Sequence, residues 1–285
     1  MITFKVFFKY TAVSAGEKQI HHGKFNCQME RSKMYYLTEL YWNTGLRPSN
    51  EDSLSLQEVY IKGNRAVFAL ICDGIGGLWK GEQASGFVAE RMTEWFYAEA
   101  LPMMARNKGM KKIKRAGIRS LYACNEEMRK FASQEQIQFG TTITMMIFYK
   151  KHYLLWHSGD TRAYRISLKS KMIKISKAGR MSSQGVLERL TRDHSADEHI
   201  LTKCIGSFVW KEPDSHIGRI KKKNTFLLCS DGFRHVISEE KLTETLLPFH
   251  LTSKEQIGRR IKEIADYSRR RGEKDNISAI VIKTG

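Results

Sequence analysis

The chain has few prolines, no paired cysteines and no long apolar run. Proline occurs only four times in 285 residues, which excludes a long proline-rich linker between domains. The five cysteines are scattered at Cys27, Cys72, Cys124, Cys204 and Cys229. Because no CxxC pair occurs, the pattern disfavours both a zinc finger and a redox motif. Reduced, buried thiols in a cytoplasmic protein are the expected alternative.

The N-terminal stretch MITFKVFFKY is apolar, but Lys5 and Lys9 interrupt it. It therefore lacks the continuous apolar segment of a signal peptide. Since no other run approaches the length of a membrane-spanning helix, we expect no membrane span. Residues 2–10 are predicted to form a strand. We expect residues 1–35 to be an N-terminal extension packed on a single domain of residues 36–285.

Positive charge is in large excess. Lysine and arginine number 48 against 30 aspartates and glutamates, which gives a formal net charge of +18. Such a charge attracts acidic proteins, phosphoproteins, nucleic acid or a membrane surface. The basic runs are short, lack interleaved aromatic residues and accompany no zinc-finger or helix-turn-helix signature. An acidic protein partner is therefore favoured, and no nucleic acid is expected.

The apolar periodicity predicts antiparallel sheets with packed helices. Strands are predicted at residues 34–42, 65–72, 225–229 and 276–283, with three more within 141–168. Helices are predicted around residues 84–96, 113–131, 238–247 and 253–270, the first two being separated by Pro102 and Gly109. Residues 176–214 are expected to be an irregular surface excursion. Because the strands are grouped and the helices paired, a doubly wound parallel sheet is disfavoured.

Acidic residues recur where predicted strands end or begin beside turn-forming residues. They are Glu51, Asp52, Asp73, Asp160, Asp231 and Asp275. Converging carboxylates repel one another unless a cation neutralises them, and all-oxygen sites suit magnesium or manganese. A glycine such as Gly74 leaves room for its carbonyl to bind the ion. A lone Asp-Gly is usually only a turn, but an apolar strand precedes both Asp73 and Asp231, which favours a shared site.

Seven short stretches carry a family resemblance. They are G-L-R-P-S-N-E-D at 45–52, D-G-I-G-G at 73–77, F-G-T-T at 139–142, S-G-D-T-R-A-Y at 158–164, L-T-R-D-H at 190–194, L-C-S-D-G at 228–232 and D-N-I-S at 275–278. In these stretches and in their order, the chain resembles the type 2C protein phosphatases, the metal-dependent serine/threonine family. The resemblance covers roughly residues 36–283.

The resemblance implies a fold, a reaction and partners. The fold would be α+β, a four-layer α-β-β-α sandwich of two antiparallel sheets flanked by helices. The reaction would be hydrolysis of phosphoserine or phosphothreonine in proteins by water that two or three magnesium or manganese ions activate. The substrates would be phosphorylated, acidic proteins that a cognate serine/threonine kinase supplies.

The resemblance also implies a role for each site residue. Asp73 would bridge two ions, Asp231 and Asp275 would complete the first ion site, and Glu51 with the carbonyl of Gly74 would bind the second. Asp160 with Asp231 would hold a weaker third ion, Asp52 would hold the attacking water, Arg47 would bind the substrate phosphate, and Asn276 would orient Asp275 or that water.

One position departs from the family pattern. Many members have a histidine between the paired glycines, thought to protonate the leaving group, whereas this chain has Ile75. Many bacterial members have methionine there, so the departure leaves the activity expected and the general acid open. His194 is the nearest histidine within a motif, but in the family it belongs to a flap, and most histidines are not catalytic.

Two rival functions come from other classes. A pseudophosphatase would bind phosphoproteins without turning them over, but a binding module has no need of the complete carboxylate set. A nucleic-acid-binding protein would rest on charge alone, and filter binding across a range of salt concentrations would separate it.

The charge excess predicts a substrate-dependent effect of salt. Because screening weakens long-range attraction, kcat/KM on an acidic phosphoprotein should fall with ionic strength more steeply than kcat/KM on a small aryl phosphate. The measurement is the slope of each against salt concentration with metal held saturating. Equal slopes for the two substrates would remove electrostatic steering.

Overall fold

The computed structural model describes residues 5–7, 11–12, 34–75, 80–175, 181–196 and 200–285. Two antiparallel sheets lie face to face, and helices cover the outer face of each. The strands are β1 (Lys5–Phe7), β2 (Thr11–Ala12), β3 (Tyr36–Asn43), β4 (Asp52–Ile61), β5 (Asn64–Asp73), β6 (Ile143–Tyr149), β7 (His152–Ser158), β8 (Arg162–Ile175), β9 (Met181–Arg189), β10 (Asp214–Arg219), β11 (Asn224–Cys229) and β12 (Ile277–Thr284). The helices are α1 (Gly81–Trp95), α2 (Leu101–Ala105), α3 (Met110–Glu135), α4 (Asp231–Arg234), α5 (Glu239–Thr245) and α6 (Lys254–Arg270).

The first sheet has the order β1-β4-β5-β6-β7-β10, with β2 also paired to β4, and the second has the order β3-β12-β11-β8-β9. Each described pair of neighbouring strands is antiparallel. Helices α1 to α3 cover the first sheet and α4 to α6 the second. The predicted α+β, four-layer sandwich is therefore confirmed.

Strand β5 shows how one segment serves two cores. Ala66, Phe68 and Leu70 point to the helices of the first sheet, whereas Val67 and Ile71 point to the second sheet. Successive side chains of a strand alternate between its faces, so an uninterrupted apolar run is what a strand buried on both faces requires. The sandwich is thereby held by apolar burial at three interfaces between its four layers.

Strand β4 was not predicted, although nine of its ten residues are buried. At the end of β4 near Asp52, the helix-facing residues Ser53, Ser55 and Gln57 are polar and find partners in the helical layer. The hydroxyls of Ser53 and Ser85 lie 2.9 Å apart, and the Gln57 side-chain oxygen accepts a hydrogen bond of 2.8 Å from the hydroxyl of Tyr97. Because buried polar groups of this kind are satisfied only by tertiary contacts, the sequence pattern alone did not reveal the strand.

Two sequence-based boundaries are corrected. Pro102 does not end the first helix. A π-helical turn at Phe96–Ala100 precedes the proline and accommodates its missing N–H, and the helix continues through α2 to Ala105. Residues 176–214 are not wholly irregular, since β9 pairs with a long β8. Strand β9 lies at the edge of its sheet, where polar residues are common and mask the strand pattern.

The N-terminal residues contribute backbone pairing at one edge of the first sheet. Lys5–Phe7 pair with Glu58 to Tyr60, and Thr11–Ala12 pair with Leu54 and Ser55. The rest of the predicted strand at 2–10 and Cys27 lie outside the described residues, and the boundary at residue 35 stays a prediction. Among the helices that the structure describes, none is long and apolar enough to cross a bilayer.

Alanine substitutions at two helical glycines, Gly117 and Gly258, should change stability in opposite directions. A Cβ on Gly117 in α3 would lie 2.8 Å from the ring of Trp156, which is fully buried and donates a 3.0 Å hydrogen bond to the Lys114 carbonyl. Gly117→Ala should lower the free energy of unfolding by about 1–2 kcal/mol, because overpacking outweighs the gain in helix propensity.

Gly258 in α6 is the matched control. Its Cβ would meet only Glu39, at 3.8 Å, so Gly258→Ala should raise the free energy of unfolding by about 0.5–1 kcal/mol. Denaturant unfolding of both variants tests the pair. Stabilisation by Gly117→Ala would contradict the packing that the structure shows at Trp156.

Candidate metal centre

The antiparallel order brings the predicted acidic residues to one end of the sandwich. Asp52 opens β4 and is paired in register with Asp73, the last residue of β5. Asp231 follows β11 and begins α4, and Asp275 lies two positions before the start of β12. Asp160 lies in the turn between β7 and β8. Strand ends that are far apart in sequence are neighbours here because adjacent strands run in opposite directions.

The backbone around Asp73 is fixed on both sides. Its N–H donates to the Thr142 hydroxyl at 2.9 Å, and its carbonyl accepts from the Thr142 N–H at 2.9 Å. The Gly74 N–H donates to the Glu51 carbonyl at 3.0 Å. A Cβ on Gly74 would lie 2.2 Å from the carbonyl oxygen of Gly81, so only glycine allows α1 to begin this close to the centre.

Asn276 connects the last strand to the loop that precedes β4. Its side-chain oxygen accepts from the Glu51 N–H at 2.8 Å, and its amide nitrogen donates to the carbonyls of Thr44 at 2.8 Å and Ser49 at 3.0 Å. Its own backbone N–H donates to the Asp275 carboxylate at 2.8 Å. The side chain thus positions Glu51, while the backbone orients Asp275.

The loop carrying Arg47 approaches the same carboxylate. Gly45 has a φ of +67°, and a Cβ there would lie 2.0 Å from the Asp275 carbonyl oxygen, so no other residue fits. Arg47 then donates a 2.8 Å charge-assisted hydrogen bond to the Asp275 carboxylate, with half of its side chain still exposed. The guanidinium is therefore anchored at one point and open to a ligand elsewhere.

Burial and mutual repulsion raise the pKa values of the carboxyl groups. Burial is the largest cause for Asp52, whose pKa rises to about 7, and for Asp160, whose pKa rises to about 6. Burial also raises the pKa of Asp73 well above its usual range, and the charges of Asp52, Asp231, Asp160 and Asp275 raise it further. Carboxylates that affect one another in this way face a common space.

Two further acidic groups share this environment. Burial and then the charge of Asp275 raise the pKa of Asp231, which Arg234 partly offsets. Burial raises the pKa of Glu51, and the charge of Arg47 lowers it in part.

The oxygens of Asp52 test whether a cation fits. Both are buried without a hydrogen-bond partner among the described residues. The Ser278 and Ser230 hydroxyls are close enough to lower its pKa in part, but neither is in hydrogen-bonding geometry. Buried carboxylate oxygens left unpaired are costly, and an all-carboxylate set matches the preference of a hard divalent cation.

The side chains do not already form a closed shell. Throughout the part of the chain that the structure describes, no three His, Cys, Asp or Glu side chains meet at one point as metal ligands. The residues fit a cation by donor type, burial and mutual repulsion, and closing the shell requires rotation about their side-chain bonds.

A cleft of about 810 Å³ opens over this end of the sandwich. Its lining combines four predicted site residues with others that the sequence did not single out, and these are Leu46, Arg47, Asp160, Arg162, Asp193, Ser195, Asp231, Gly232, Arg234, His235, Glu273, Lys274 and Asp275. The concentration of basic groups around the carboxylates suits an anionic substrate.

Sequence reasoning missed several residues that shape this cleft. Buried Glu273 accepts from the N–H groups of Lys274 and Asp275, each at 2.9 Å, and so fixes the turn before β12. Arg162 binds Asp193 with donor–acceptor distances of 2.6 to 3.2 Å. Arg162 and Asp193 lie within the stretches 158–164 and 190–194 that carry the family resemblance, and this could have drawn attention to them. Glu273 lies outside all seven stretches, so no sequence motif indicated its role.

His194 is engaged structurally. Its Nδ1 accepts from the Gly159 N–H at 3.1 Å, and its Nε2 lies 3.1 Å from the Asp214 carboxylate. Burial and then the charge of Lys203 lower its pKa, which favours the neutral ring that accepts from Gly159. With both nitrogens occupied and the ring outside the cleft lining, His194 supports the Asp160 turn.

The comparisons with known proteins agree with this geometry. The protein phosphatase 2C family model matches residues 48–267. The serine/threonine phosphatase Stp of Listeria monocytogenes is 22% identical over 259 residues, which covers 84% of this chain and 91% of that protein. Stp1 from Staphylococcus aureus superposes with a TM-score of 0.67 at 20% identity, covering 93% of this chain and 99% of that one. The catalytic domain of PstP, in complex with two manganese ions, gives a TM-score of 0.63 at 22% identity and covers 88% and 99%.

The fold, the acidic residues gathered at one end and the arginine-lined cleft are those expected of a metal-dependent hydrolase. The family match spans most of the chain. The chain belongs to the protein phosphatase 2C family and is a metal-dependent protein serine/threonine phosphatase.

The raised pKa values predict how metal-free protein responds to pH. Folding raises the pKa of Asp52 from 3.8 to about 7 and that of Asp160 to about 6, so the protonated forms favour the folded state. This stabilisation is complete below about pH 4 and is lost as the pH rises through about 6 to 7. In excess chelator, the free energy of unfolding should therefore fall by a few kcal/mol between about pH 5 and pH 8.

Denaturant unfolding at several pH values measures this slope. Asp52→Asn removes one of the two groups and should flatten the slope in chelator. Saturating Mn²⁺ should reverse the slope, because the cation binds the ionised carboxylates. A wild-type stability independent of pH in chelator would contradict the crowding of buried carboxyl groups.

Proposed function

We propose that this end of the sandwich hydrolyses phosphoserine and phosphothreonine in proteins. The single observation that supports this most strongly is Asp52, a fully buried carboxylate with two unpaired oxygens that faces other acidic residues. Asp73 would bridge two cations, with Asp231 and Asp275 completing the first position. Glu51 and the carbonyl of Gly74 would complete the second.

When bound, the two cations supply a water of lowered pKa as the nucleophile and neutralise charge on the phosphate. Asp52, paired in register with Asp73, would accept a hydrogen bond from that water through its unpaired oxygens. Asn276 positions Glu51 by accepting a hydrogen bond from its backbone N–H. Because a metal-activated water would be the nucleophile, the chain would need no nucleophilic cysteine. Burial raises the pKa values of the Cys72 and Cys229 thiols.

Arg47 is proposed to bind the transferred phosphate. Its contact with Asp275 fixes the guanidinium beside the carboxylate cluster. The remaining N–H groups can donate two parallel hydrogen bonds to phosphate oxygens. The charge of Arg47 then offsets the negative charge on the equatorial oxygens as the bond to the leaving alkoxide breaks. Ile75 cannot donate a proton, so the general acid for the leaving group stays open, with water as one source.

A third ion was expected between Asp160 and Asp231. Both carboxyl groups line the cleft, but the side chain of Arg234 lies with them. The positive charge of Arg234 affects whether a third cation binds there. The proposed reaction requires only the two cations around Asp73.

The metal, the substrates and the location of the protein are the finer assignments of the proposed function. Manganese is favoured over magnesium because the structurally similar PstP domain was solved with two manganese ions. Acidic phosphoproteins supplied by a serine/threonine kinase are the proposed substrates, since the net charge is +18. A cytoplasmic location accords with scattered cysteines that include four free thiols. The comparisons give no support to a pseudophosphatase.

The proposed ligand set predicts strict dependence on added divalent metal. Asp231→Asn should lower kcat on a phosphothreonine peptide by several orders of magnitude, because the activated water supplies most of the rate. Glu240→Gln is a matched control, an exposed acidic residue on α5 away from the cleft. Full activity in excess chelator, or an unchanged rate in Asp231→Asn, would remove the ligand assignment.

Arg47 predicts a separate effect on binding. Arg47→Ala should lower kcat/KM, because a bidentate phosphate contact is lost. The loss should correspond to about 2–3 kcal/mol of transition-state stabilisation. Arg47→Lys keeps the charge without the fork and should fall between Ala and wild type. The number of bound Mn²⁺ ions should stay the same in both variants. Unchanged kinetics in Arg47→Ala would show that the phosphate binds elsewhere.

A further inference from the structure

Arg234 ends the short helix α4 that Asp231 begins, so both residues belong to one turn. Its side chain lines the cleft and reaches the turn between β7 and β8. There its Nη2 donates a 3.1 Å hydrogen bond to the Asp160 backbone carbonyl. The guanidinium is thereby fixed next to the two carboxyl groups that were expected to hold a third ion.

The charge of Arg234 is shared among several acidic residues. It acts electrostatically on Asp160, Asp231 and Asp193. Within the described ranges of the chain, none of their oxygens forms an ion pair with it within 4.0 Å. Its Nε is buried and has no hydrogen-bond partner among the described residues. A fixed cation in this position attracts both carboxylates and repels a second cation that approaches them.

The other two arginines of the cleft are committed to different partners. Arg162 is held by Asp193 through three short contacts, and Arg47 is held by Asp275. Each of these two arginines is held in an ion pair with another carboxylate, whereas Arg234 is held on the Asp160 backbone and its charge acts on both Asp160 and Asp231. The cleft therefore contains one arginine placed to act on this pair.

We propose that Arg234 supplies the positive charge that a third divalent cation would otherwise supply beside Asp160 and Asp231, so that this phosphatase binds two cations and excludes a third. The inference rests on the proposed function, because it assumes that the two positions around Asp73 are filled. Asp160 then serves as a partner of the guanidinium and not as a metal ligand.

Equilibrium dialysis with Mn²⁺ alone tests the proposal, since it counts bound ions without reference to turnover. Wild type should bind two Mn²⁺ per chain up to about 1 mM, and Asp160→Asn should bind the same number. Arg234→Gln keeps a hydrogen-bond donor without the charge and should bind a third Mn²⁺. Its affinity for that third ion should be about tenfold or more higher than that of wild type. Arg234→Lys should still bind two.

Two controls isolate the position of the charge. Lys274→Gln removes another exposed cation of the same cleft and should leave the count at two. The double variant with Arg234→Gln and Asp160→Asn should return from three ions to two. The first two affinities and the melting temperature of Arg234→Gln show whether that variant keeps the fold.

The outcomes separate the two levels of the argument. Three ions in wild type, one of them lost in Asp160→Asn, would overturn the role of Arg234 and leave the proposed function standing. A count of two in a well-folded Arg234→Gln would also overturn it. No Mn²⁺ binding by wild type would overturn the proposed function and this inference together.

Discussion

Repulsion among carboxylates crowded at one end of a sandwich is the constraint on which the rest of the structure depends. Asp73 is affected by four other aspartates, and such an arrangement opposes folding until a cation neutralises it. The protein supports it with a large apolar interior in three layers and with backbone anchors at Thr142 and Asn276. The chemistry and the instability of the site have the same origin.

The apolar cores also set the precision of the site. Asp52 and Asp73 are placed by the register of β4 on β5, and a shift of one residue would turn every side chain of a strand to the opposite face. Val67 and Ile71 resist that shift because their side chains are buried against the second sheet. Residues with no part in the chemistry therefore determine where the carboxylates lie.

Much of this arrangement could be predicted from the sequence because its signals are local. The apolar run ending at Asp73 and the motif order were enough for the fold class and for the proposed site residues. Strand β4 escaped prediction because polar Ser53 and Gln57 interrupt its apolar pattern and have partners in the helical layer that the sequence does not show. The role of Arg234 was likewise hidden, since its contact with Asp160 spans 74 positions of the sequence.

Because Asn276 holds a loop from a distant part of the sequence, assembly of the centre depends on when each segment is synthesised. The loop that carries Arg47 and Glu51 emerges from the ribosome early, yet its backbone is held by a side chain near the end of the chain. Strand β12, which follows, lies between β3 and β11 within its sheet. Because a domain folds as a unit once its elements are available, a nascent chain that lacks Asn276 and β12 has neither a closed second sheet nor an assembled centre. The enzyme therefore cannot act on phosphoproteins until this segment has been synthesised.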